Sequence, residues 1–467
     1  MKWLLFLGVF VSLHAQNKQL LYGFKEVPQQ ILLNPGDQVD HRGYIGVPLL
    51  SHIYFNAGIT GFSAFDVFAD DGKDFNQKIR DVVYKMDAKD FFEFNQQLEF
   101  FSAGLRVQTS FEKFVFISFG MYQESDLFSY FPEDLAVLAY EGNHNNLNRS
   151  FYLGHLNASA EALSVFHLGI NKKLNPKWTV GIRGKIYSSI AQASSTENKG
   201  SFRTVRRADN SLTHIFDLDM KLQTSGLSFL DEPNASDGLG ILQKRLLFGG
   251  NLGFGIDLGF TYQPSPEWTV DASLQDIGFI NYSKDVKNYI LDGYLEYEGI
   301  QALFPELVTD QMAQGYWDEV SKVFDELFEI ENTTTSYTKW RPIKLNSSVS
   351  YNFGRKIDNE CNCLDKSDPT FQSRVGAHLF AMKRPKHLQW ALSAFYYRKL
   401  FKGLQLKTTY TVDAYSFKNV GLGMSASVGA VQFYVMADNL LDYQNLAKSQ
   451  SVSLQLGFNY IFKNNEN

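Results

Sequence analysis

Apolar residues alternate with small or polar residues along much of this chain, most clearly over residues 248–262. One face carries Phe248, Gly250, Leu252, Phe254, Ile256, Leu258, Phe260 and Tyr262, and the other carries Gly249, Asn251, Gly253, Gly255, Asp257, Gly259 and Thr261. Because successive side chains of a β-strand point to opposite faces, this period of two predicts a long strand. The apolar face suits lipid, and the face of glycines and short polar residues suits the packed interior of a barrel.

Tight turns join such stretches into hairpins. The proline-containing turn 263–267 precedes Trp268, the proline-containing turn 173–177 precedes Trp178, and alternation continues after each tryptophan. A tight turn between two alternating strands predicts an antiparallel hairpin. Both tryptophans begin a strand, where the interfacial aromatic girdle of a membrane barrel is found, so we expect both in such a girdle.

Alternation recurs through most of the remaining chain. Further strands are predicted near residues 43–51, 53–62, 98–110, 113–123, 151–170, 211–224, 345–354, 373–382, 388–394, 402–412, 420–429 and 430–438. Together these stretches predict an all-β fold, a transmembrane antiparallel β-barrel of about 14 strands (about 14 to 16) over residues 43–462. Alternating strands average to neutral hydropathy, so the mean hydropathy of −0.22 is compatible with a membrane barrel.

The final stretch, residues 451–462, alternates and ends in aromatic residues. Phe458, Tyr460 and Phe462 share its apolar face. This ending resembles the C-terminal strand signal of outer-membrane barrels, which implies the barrel-assembly machinery as a partner during biogenesis. The chain departs from that signal because the polar residues 463–467 follow the last aromatic, and this tail is predicted to lie in the periplasm.

Residues 1–15 have the order of a secretory signal peptide. Lys2 precedes the apolar run 4–13, and Ala15 provides a small residue for cleavage. An apolar run of about ten residues is too short to cross a ~30 Å hydrocarbon layer as a helix, so a retained anchor is disfavoured. We therefore expect export and a location in the cell outer membrane. The net charge of −6 argues against a nucleic-acid partner.

Two long insertions have helical rather than alternating patterns. They lie near residues 73–95 and 300–330, and in the second one Trp317, Val320, Phe324, Leu327 and Phe328 recur at helical spacing. Each is either a helix that packs its apolar stripe on the barrel rim, or a lid or a surface that docks a partner. Long barrel loops project outward, so we expect the second insertion on the cell surface, whereas the position of the first stays open.

The sequence offers no convincing catalytic, cofactor-binding or metal-binding motif. The glycines around Gly253 and Gly255 follow the strand period rather than the pattern of a phosphate loop, and the histidines form no metal-spaced pair. Cys361 and Cys363 lack two further zinc ligands at suitable spacing, which leaves a loop disulfide or two free thiols. The chain is therefore predicted to be non-enzymatic, with no catalytic residue, cofactor or metal.

The segment 16–42, which precedes the first predicted strand, contains Asn34, Pro35 and Gly36. An Asn-Pro-small motif near the mature N-terminus is found in the long-chain fatty acid transporter superfamily of outer-membrane barrels and in Bacteroidota relatives that serve type 9 secretion. Residues 44–51 resemble more closely an uncharacterised Bacteroidota family of such barrels, a domain of unknown function. The resemblance covers nearly the whole chain and implies that the motif belongs to a plug or hatch, while an ordinary Asn-Pro-Gly turn is the alternative.

The same resemblance implies transport. In the fatty acid transporters the N-terminal segment folds into the barrel as a hatch, and a hydrophobic ligand leaves sideways through a gap in the wall. We therefore expect a non-enzymatic barrel, surrounded by outer-membrane lipid, that passes a small or hydrophobic ligand. The alternative is an accessory or scaffold subunit of an envelope secretion or assembly machine, with envelope proteins as partners. An enzyme acting on outer-membrane lipid is the third and least favoured hypothesis.

Overall fold

The computed structural model describes residues 18–463, apart from 111–112, 229–234, 299–329, 356–370, 402, 414 and 416. Its strands, in chain order, are β1 (Gly43–Gly46), β2 (Ile53–Ile59), β3 (Phe91–Ser110), β4 (Lys113–Tyr130), β5 (Ser150–Tyr152), β6 (Ala158–Asn175), β7 (Trp178–Ser195), β8 (Lys199–Arg206), β9 (Leu212–Ser225), β10 (Asn251–Tyr262), β11 (Trp268–Tyr282), β12 (Val286–Glu298), β13 (Glu331–Thr333), β14 (Tyr337–Trp340), β15 (Lys344–Arg355), β16 (Phe371–Lys383), β17 (Leu388–Phe401), β18 (Leu404–Val412), β19 (Asn419–Val428), β20 (Val431–Asp438) and β21 (Ser451–Phe462).

An antiparallel sheet closes on itself to form a barrel of 14 strand positions. β1 and β2 together form the first position, since both pair with β21 and β3. β14 and β15 together form the eighth position, since both pair with β11. The other positions are the single strands β3, β4, β6, β7, β10, β11 and β16 to β21. The predicted all-β fold and the predicted number of barrel strands are confirmed.

Side chains alternate between the lumen and the outer surface of the barrel. Along β10, Leu252, Phe254 and Ile256 point outward and are 39%, 58% and 46% exposed, whereas Asn251 and Asp257 point inward and are buried. The outer surface is therefore apolar and the lumen polar, as the alternation predicts.

The strand predicted over residues 248–262 begins three residues late, at Asn251. The helical turn Arg245–Gly249 comes before it. The guanidinium of Arg245 lies 2.7 Å from the carboxylate of Asp285. This contact holds the chain in a turn, so Phe248 does not belong to the strand. A tertiary ion pair thus overrides the local period.

Two other predictions differ from the structure. The strand predicted over residues 211–224 exists as β9, but it lies outside the closed barrel. β3 begins at Phe91, inside the insertion predicted near residues 73–95, because its first residues pair with the end of β2 and the end of β4. The insertion is therefore shorter than predicted.

The strand predicted over residues 43–51 is interrupted after β1. The N–H of Val47 donates to the carbonyl of Phe458 at 3.1 Å, and the N–H of Phe458 donates to the carbonyl of Leu50 at 2.8 Å. The residues between these two bonds bulge out of the ladder, and Leu49 has a φ of 62°. β2 then resumes the pairing with β21 and β3.

The two ends of the barrel differ in their connections. At one end, the short-turn end, strands are joined by residues 176–177, 263–267, 402–403 and 429–430. The connection 356–370, between β15 and β16, lies outside the described residues. At the other end, the long-loop end, strands are joined by the long connections 60–90, 131–157, 196–250 and 283–336 and by the shorter connections 384–387, 413–418 and 439–450.

Helices occur within the long loops and are α1 (Ala64–Phe68), α2 (Phe75–Lys85), α3 (Glu133–Glu141) and α4 (Ala235–Lys244). α2 lies in the first predicted insertion and is capped by Asp74, whose carboxylate accepts hydrogen bonds from two backbone N–H groups of the first turn. Its apolar stripe buries Val82 and Val83. Across the described helices, none is both long and apolar enough to cross a membrane.

β5, β8, β9, β12 and β13 extend the sheet beyond the long-loop end of the barrel. β9 connects this extension to the barrel, since Ser225 pairs with Gln192 of β7. Val137 of α3 packs with Phe151 of β5 and Phe202 of β8. The long loops therefore form a folded layer on the barrel.

Residues 18–42, the N-terminal segment, lie inside the barrel before the chain enters β1. Leu20 and Phe24 have no solvent exposure and pack in a cluster with Tyr434 of the wall. The segment contains one 3-10 helical turn, Pro28–Leu32, whose first residue is a proline that suits a helix start. Part of the lumen is therefore filled by the chain itself.

Candidate functional site in the barrel lumen

A cavity of about 610 Å³ lies in the lumen between the N-terminal segment and the long loops. Leu32 and Leu33 of the N-terminal segment contribute to its floor. The buried or half-buried charged side chains that line it are Lys18, Glu93, Glu124, Asp126, Glu161, Lys185, Asp276, Lys339, Arg341, Lys344 and Arg384. Charges this deeply placed are tolerated when they pair or bind a ligand, so their partners define what the cavity can do.

Two aspartates and three cations, the aspartate cluster, lie at and just below the floor. Lys185 Nζ lies 2.8 Å from Asp257 and 2.7 Å from Asp276. Lys344 Nζ lies 2.9 Å from Asp276, and an Arg183 amine nitrogen lies 3.4 Å from Asp257. Each carboxylate therefore faces two cations, and the cluster has one cation more than it has carboxylates.

Arg183 also binds the N-terminal segment. Its guanidinium donates to the carbonyl of Leu32 at 3.1 Å and to that of Ile31, at the end of the 3-10 turn. Gln275 donates to the carbonyls of Leu32 and Leu33 at 2.6 and 2.8 Å. The last carbonyls of a helix have no partner within it and carry the negative end of its dipole, so a cation suits this place.

Two arginines cross the lumen nearer the long-loop end. These luminal arginine bridges are Arg341 with Glu124 (2.6 Å) and Glu161, and Arg384 with Asp126 (2.8 Å) and Glu93 (3.1 Å). The arginines follow β14 and β16, whereas the carboxylates stand on β3, β4 and β6 across the barrel. Four carboxylates thus face two guanidiniums, and the ammonium groups of Lys18 and Lys339 lie against the same strands, at Gln97 of β3 and Ser159 of β6.

Two lysines of the cavity are held by neutral groups. Lys18 donates to the side-chain oxygen of Gln97, and Lys339 donates to the hydroxyl of Ser159 at 3.2 Å. Neither forms an ion pair with a carboxylate in the part of the chain that the structure describes. A ligand that enters the cavity therefore meets two lysines that are held only by uncharged groups.

Asn34, Pro35 and Gly36 lie against two inward glycines of the wall. Gly181 of β7 and Gly259 of β10 are opposite each other in register. A Cβ atom at Gly259 would lie 2.1 Å from the side-chain oxygen of Asn34, and one at Gly181 would lie 1.9 Å from the carbonyl oxygen of Pro35. The same Asn34 oxygen accepts from the N–H of Gly36 at 2.9 Å. The motif is thus a local turn and also a close contact with the wall, which a side chain at either glycine would prevent.

The other side of the N-terminal segment is bonded as well. Lys407 Nζ donates to the carbonyls of Gln19 at 3.0 Å and Tyr22 at 2.6 Å. Arg374 donates to the carbonyl of Gly23. With the bonds from β7 and β11, the segment is attached to strands on opposite sides of the barrel.

Trp178 and Trp268 lie on the outer surface at the short-turn end, 38% and 47% exposed. Trp178 stacks on Tyr262 with 4.5 Å between ring centroids, and Trp268 contacts Tyr351 at 5.1 Å. On β21 the outward aromatic residues are Phe458, Tyr460 and Phe462. Aromatic side chains therefore line the outside of the barrel at this end.

Several predicted features fall outside the described residues and stay predictions. They are the signal peptide 1–15, the candidate partner or lid helix with Trp317, Val320, Phe324, Leu327 and Phe328, and Cys361 and Cys363. Among the described residues, no group of three or more His, Cys, Asp or Glu side chains is placed to hold a metal ion.

Sequence reasoning missed the charged groups of the lumen. Arg183, Lys185 and Asp257 stand on inward faces otherwise rich in glycine and short polar residues, and a charge in that setting was the available signal. Their pairing depends on strand register, which a period of two does not specify.

Residues 35–438 of the chain match the family of unknown function DUF5723. The chain belongs to this family. The DUF5723 match begins at Pro35 and extends to the end of β20, and it confirms the predicted resemblance to a family of unknown function. No curated protein matches the chain.

The fold is similar to three solved structures at low sequence identity. The toluene transporter TbuX of Ralstonia pickettii is 10% identical, with a TM-score of 0.40 over 97% of each chain. The toluene transporter TodX of Pseudomonas putida is 10% identical, with a TM-score of 0.39 over 94% of this chain and 95% of that one. A Pseudomonas aeruginosa FadL homologue is 8% identical, with a TM-score of 0.37 over 91% of each chain.

Proposed function

We propose that this DUF5723 protein is a non-enzymatic barrel of the outer membrane. Ile182, Phe254, Leu392 and Leu422, on four different strands, are between 41% and 58% exposed on its outer surface. Soluble proteins rarely expose so much contiguous apolar surface, whereas lipid accommodates it. The short turns then face the periplasm, and the long loops face the cell surface.

In this orientation Trp178 and Trp268 belong to the aromatic girdle on the periplasmic side. Their indole rings lie at the ends of apolar strands, which is where amphipathic aromatic residues meet lipid headgroups. The aromatic end of β21 lies at the same level, since Phe462 pairs with Gly43 where the barrel begins.

We infer that the N-terminal segment is a plug and that the barrel passes a small polar solute. The observation that carries this proposal is the cavity of about 610 Å³ with a charged lining directly above the plug. A hydrophobic ligand would remove water from ionised groups without replacing their hydrogen bonds, which is costly. The sequence left open a small or a hydrophobic ligand, and the charged lining therefore favours a small ligand that is also polar.

Passage requires the plug to move, because the segment is bonded to opposite walls. The contact at Gly181 is the place to loosen it, since a side chain there would displace the carbonyl of Pro35. Gly184 lies on the same strand but faces outward with open space around it, so it serves as the matched control.

The test is solute entry into proteoliposomes that contain the full-length barrel, followed by osmotic swelling in small neutral and charged solutes. We expect slow entry with the native protein, several-fold faster entry with Gly181→Leu and native rates with Gly184→Leu. If neither barrel admits any solute while both keep the heat-dependent gel mobility of a folded barrel, the transport proposal is wrong.

An accessory subunit of an envelope machine is the second candidate function. The observation that favours it is the folded layer on the long-loop end, where α3 packs on the sheet extension and Tyr294 of β12 is 64% exposed. The test is affinity purification from native outer membranes, with and without residues 305–330. Stoichiometric envelope proteins that are lost with the deletion would support a subunit, whereas a lone barrel would favour transport.

A further inference from the structure

A buried lysine and a buried aspartate stand near each other in the lumen without pairing. Lys407 of β18 and Asp438 of β20 both point inward and are each 1% exposed. Neither forms an ion pair with any residue that the structure describes. A charge buried this deeply is costly unless an opposite charge or hydrogen bonds compensate it. Because pairing would compensate both charges, another part of the molecule must hold them apart.

The plug binds Lys407. The ammonium group donates to the carbonyls of Gln19 at 3.0 Å and of Tyr22 at 2.6 Å. Arg374 of β16 lies in the same row of the sheet, two strands away on the side opposite to β20. It donates to the plug carbonyl of Gly23, and its charge repels Lys407 towards β20. The two plug carbonyls are therefore the groups that hold the ammonium against this repulsion.

Only one oxygen of the Asp438 carboxylate has a hydrogen-bond partner among the described residues. Oδ2 accepts from the hydroxyl of Ser453 at 2.8 Å, whereas Oδ1 accepts from none of them. Oδ1 points to the inward side of β19, since a Cβ atom at Gly421 would lie 2.6 Å from it. β19 lies between β18 and β20. The unpartnered oxygen therefore points towards the strand of Lys407.

Leu20 of the plug occupies the space between the two charges. β19 presents two glycines to the lumen here, Gly421 beside Asp438 and Gly423 in register with Lys407. The Leu20 side chain covers both, 3.1 Å from a Cβ atom placed at Gly421 and 3.6 Å from one placed at Gly423. Two strand spacings of ~4.8 Å and two residues of ~3.3 Å place the Cα atoms of Lys407 and Asp438 ~12 Å apart, which an extended lysine and an aspartate span together. Without Leu20, the two charges can meet across the glycines.

We propose that Lys407 and Asp438 form a latent ion pair that stabilises the barrel when the plug moves. In the plugged state, carbonyls of the plug bind the lysine, and Leu20 separates it from the aspartate. When the plug withdraws, Leu20 leaves and the ammonium exchanges its two plug carbonyls for the carboxylate. The ion pair replaces the bonds that are lost, so plug movement costs less free energy and the barrel has two defined states. The inference rests on the proposed movement of the plug and names a pair of residues that controls it.

The test measures hydrogen exchange of residues 19–24 in the full-length barrel in detergent, which reports displacement of the plug whether or not any solute passes. In Gly181→Leu, which loosens the plug, the further change Asp438→Asn should slow this exchange about tenfold, because the displaced state loses a charge-assisted contact. With Lys407→Gln also present, whose amide can still donate to the plug carbonyls, Asp438→Asn should have no effect. Unchanged or faster exchange with Asp438→Asn, or equal slowing with and without Lys407, would overturn the proposal.

Thr409→Val is the matched control. The Thr409 hydroxyl lies beside the same glycine, 2.5 Å from a Cβ atom placed at Gly421, and also lacks a hydrogen-bond partner among the described residues, but it carries no charge. This variant should leave the exchange close to that of Gly181→Leu. An effect equal to that of Asp438→Asn would assign the change to packing beside Gly421 and overturn the ion pair. If Asp438→Asn fails to assemble, as judged by heat-dependent gel mobility, Asp438→Ser removes the same carboxylate in a smaller side chain.

The ion pair and the transport function fail in different ways. Slowing by Asp438→Asn that requires Lys407, in a barrel that admits no solute, would support the ion pair and remove the transport function. Equally fast solute entry into proteoliposomes in Gly181→Leu with and without Asp438→Asn, together with unchanged exchange, would keep the transport function and overturn the ion pair.

Discussion

At the scale of single residues, Arg183 of β7 connects its own strand with β10 and with the N-terminal segment. It pairs with Asp257 of the neighbouring strand and donates to the carbonyls of Ile31 and Leu32 in the plug. A planar guanidinium offers several donors in fixed directions, which allows one side chain to satisfy groups on two elements at once. Lysine has the same charge but places it on a single nitrogen, so the two residues are not equivalent at this position.

Replacement of Arg183 by lysine should therefore loosen the plug while the charge is kept. An ammonium group cannot reach both carbonyls and Asp257. Leu32 keeps the bond from Gln275 and Asp257 keeps Lys185, so the carbonyl of Ile31 is the acceptor that loses its donor, at a cost of about 1–3 kcal/mol in the free energy of unfolding. The rate of hydrogen exchange in residues 28–33 should rise, and urea unfolding should show the lower free energy of unfolding. Arg207→Lys is the control, because Arg207 forms exposed ion pairs outside the barrel and should change stability by less than about 1 kcal/mol. Equal effects of the two substitutions would contradict this role.

At the scale of elements, the period of two was enough to predict the barrel and the inward or outward side of most residues. The prediction of inward and outward sides failed where β11 has one residue more than β10 between two paired positions. Gln275 of β11 faces inward as predicted, yet the next residue, Asp276, is also buried in the lumen with a φ of 60°. The pairing of β10 with β11 shifts at this point, and the N–H of Asp276 donates to Asp257 at 2.8 Å. Such a bulge places a second carboxylate beside Lys185, and alternation in one strand cannot reveal it because it depends on the partner strand.

The glycines that receive the plug show the same limit. Gly181 and Gly259 were on predicted inward faces, but many other inward positions are also glycine. Only the register of β7 with β10 brings these two together beneath Pro35. The sequence could thus predict a wall with inward-facing glycines and an Asn-Pro-Gly turn, but it could not predict that the two are in contact.

Asp285 connects two long loops, and the strength of its contacts should depend on pH. It accepts from the N–H and the hydroxyl of Ser228 at 3.1 and 2.7 Å and pairs with Arg245, and so joins two long loops. Burial acts to raise the pKa of Asp285, but the hydrogen bonds from Ser228 and Arg245 outweigh it and hold the pKa below the usual value. Because the folded pKa is lower than the unfolded pKa, the stabilisation is complete above the unfolded value of about 3.9 and is lost as the pH falls through the folded value.

We therefore expect hydrogen exchange in residues 245–250, corrected for its intrinsic pH dependence, to increase as the pH falls from about 6 to about 3. Asp285→Asn should show the faster corrected exchange already near neutral pH and should lose the pH dependence. Asp219→Asn is the control, since Asp219 forms an exposed pair with Lys199 on the sheet extension. An unchanged pH response in Asp285→Asn would show that another group controls this loop.

At the scale of the whole molecule, the barrel is closed by successive layers of its own chain. The N-terminal segment fills the lumen towards the short-turn end, the cavity lies above it, and the luminal arginine bridges span the space below the folded long loops. The Arg384 bridge joins strands that are nearly opposite in the barrel, and the Arg341 bridge joins strands four or five positions apart, so the bridges narrow the lumen and also set the charge that an entering solute meets. Strand number alone predicts none of this, because the bridges join residues at least 180 positions apart in the sequence.

Removal of both bridges should therefore change charge selectivity rather than close the barrel. In Arg341→Gln with Arg384→Gln, the carboxylates of β3, β4 and β6 remain without their guanidiniums, so the entrance becomes strongly acidic and cations are enriched there. With Gly181→Leu as the background that loosens the plug, the reversal potential in a KCl gradient should shift towards higher potassium permeability. The shift should be largest at low salt, since a Debye length of about 10 Å at ~0.1 M screens charges across the lumen. Arg207→Gln also removes an arginine that faces two glutamates, but outside the barrel. If it shifts the reversal potential as much as the double variant does, selectivity is set at the surface and not by the bridges.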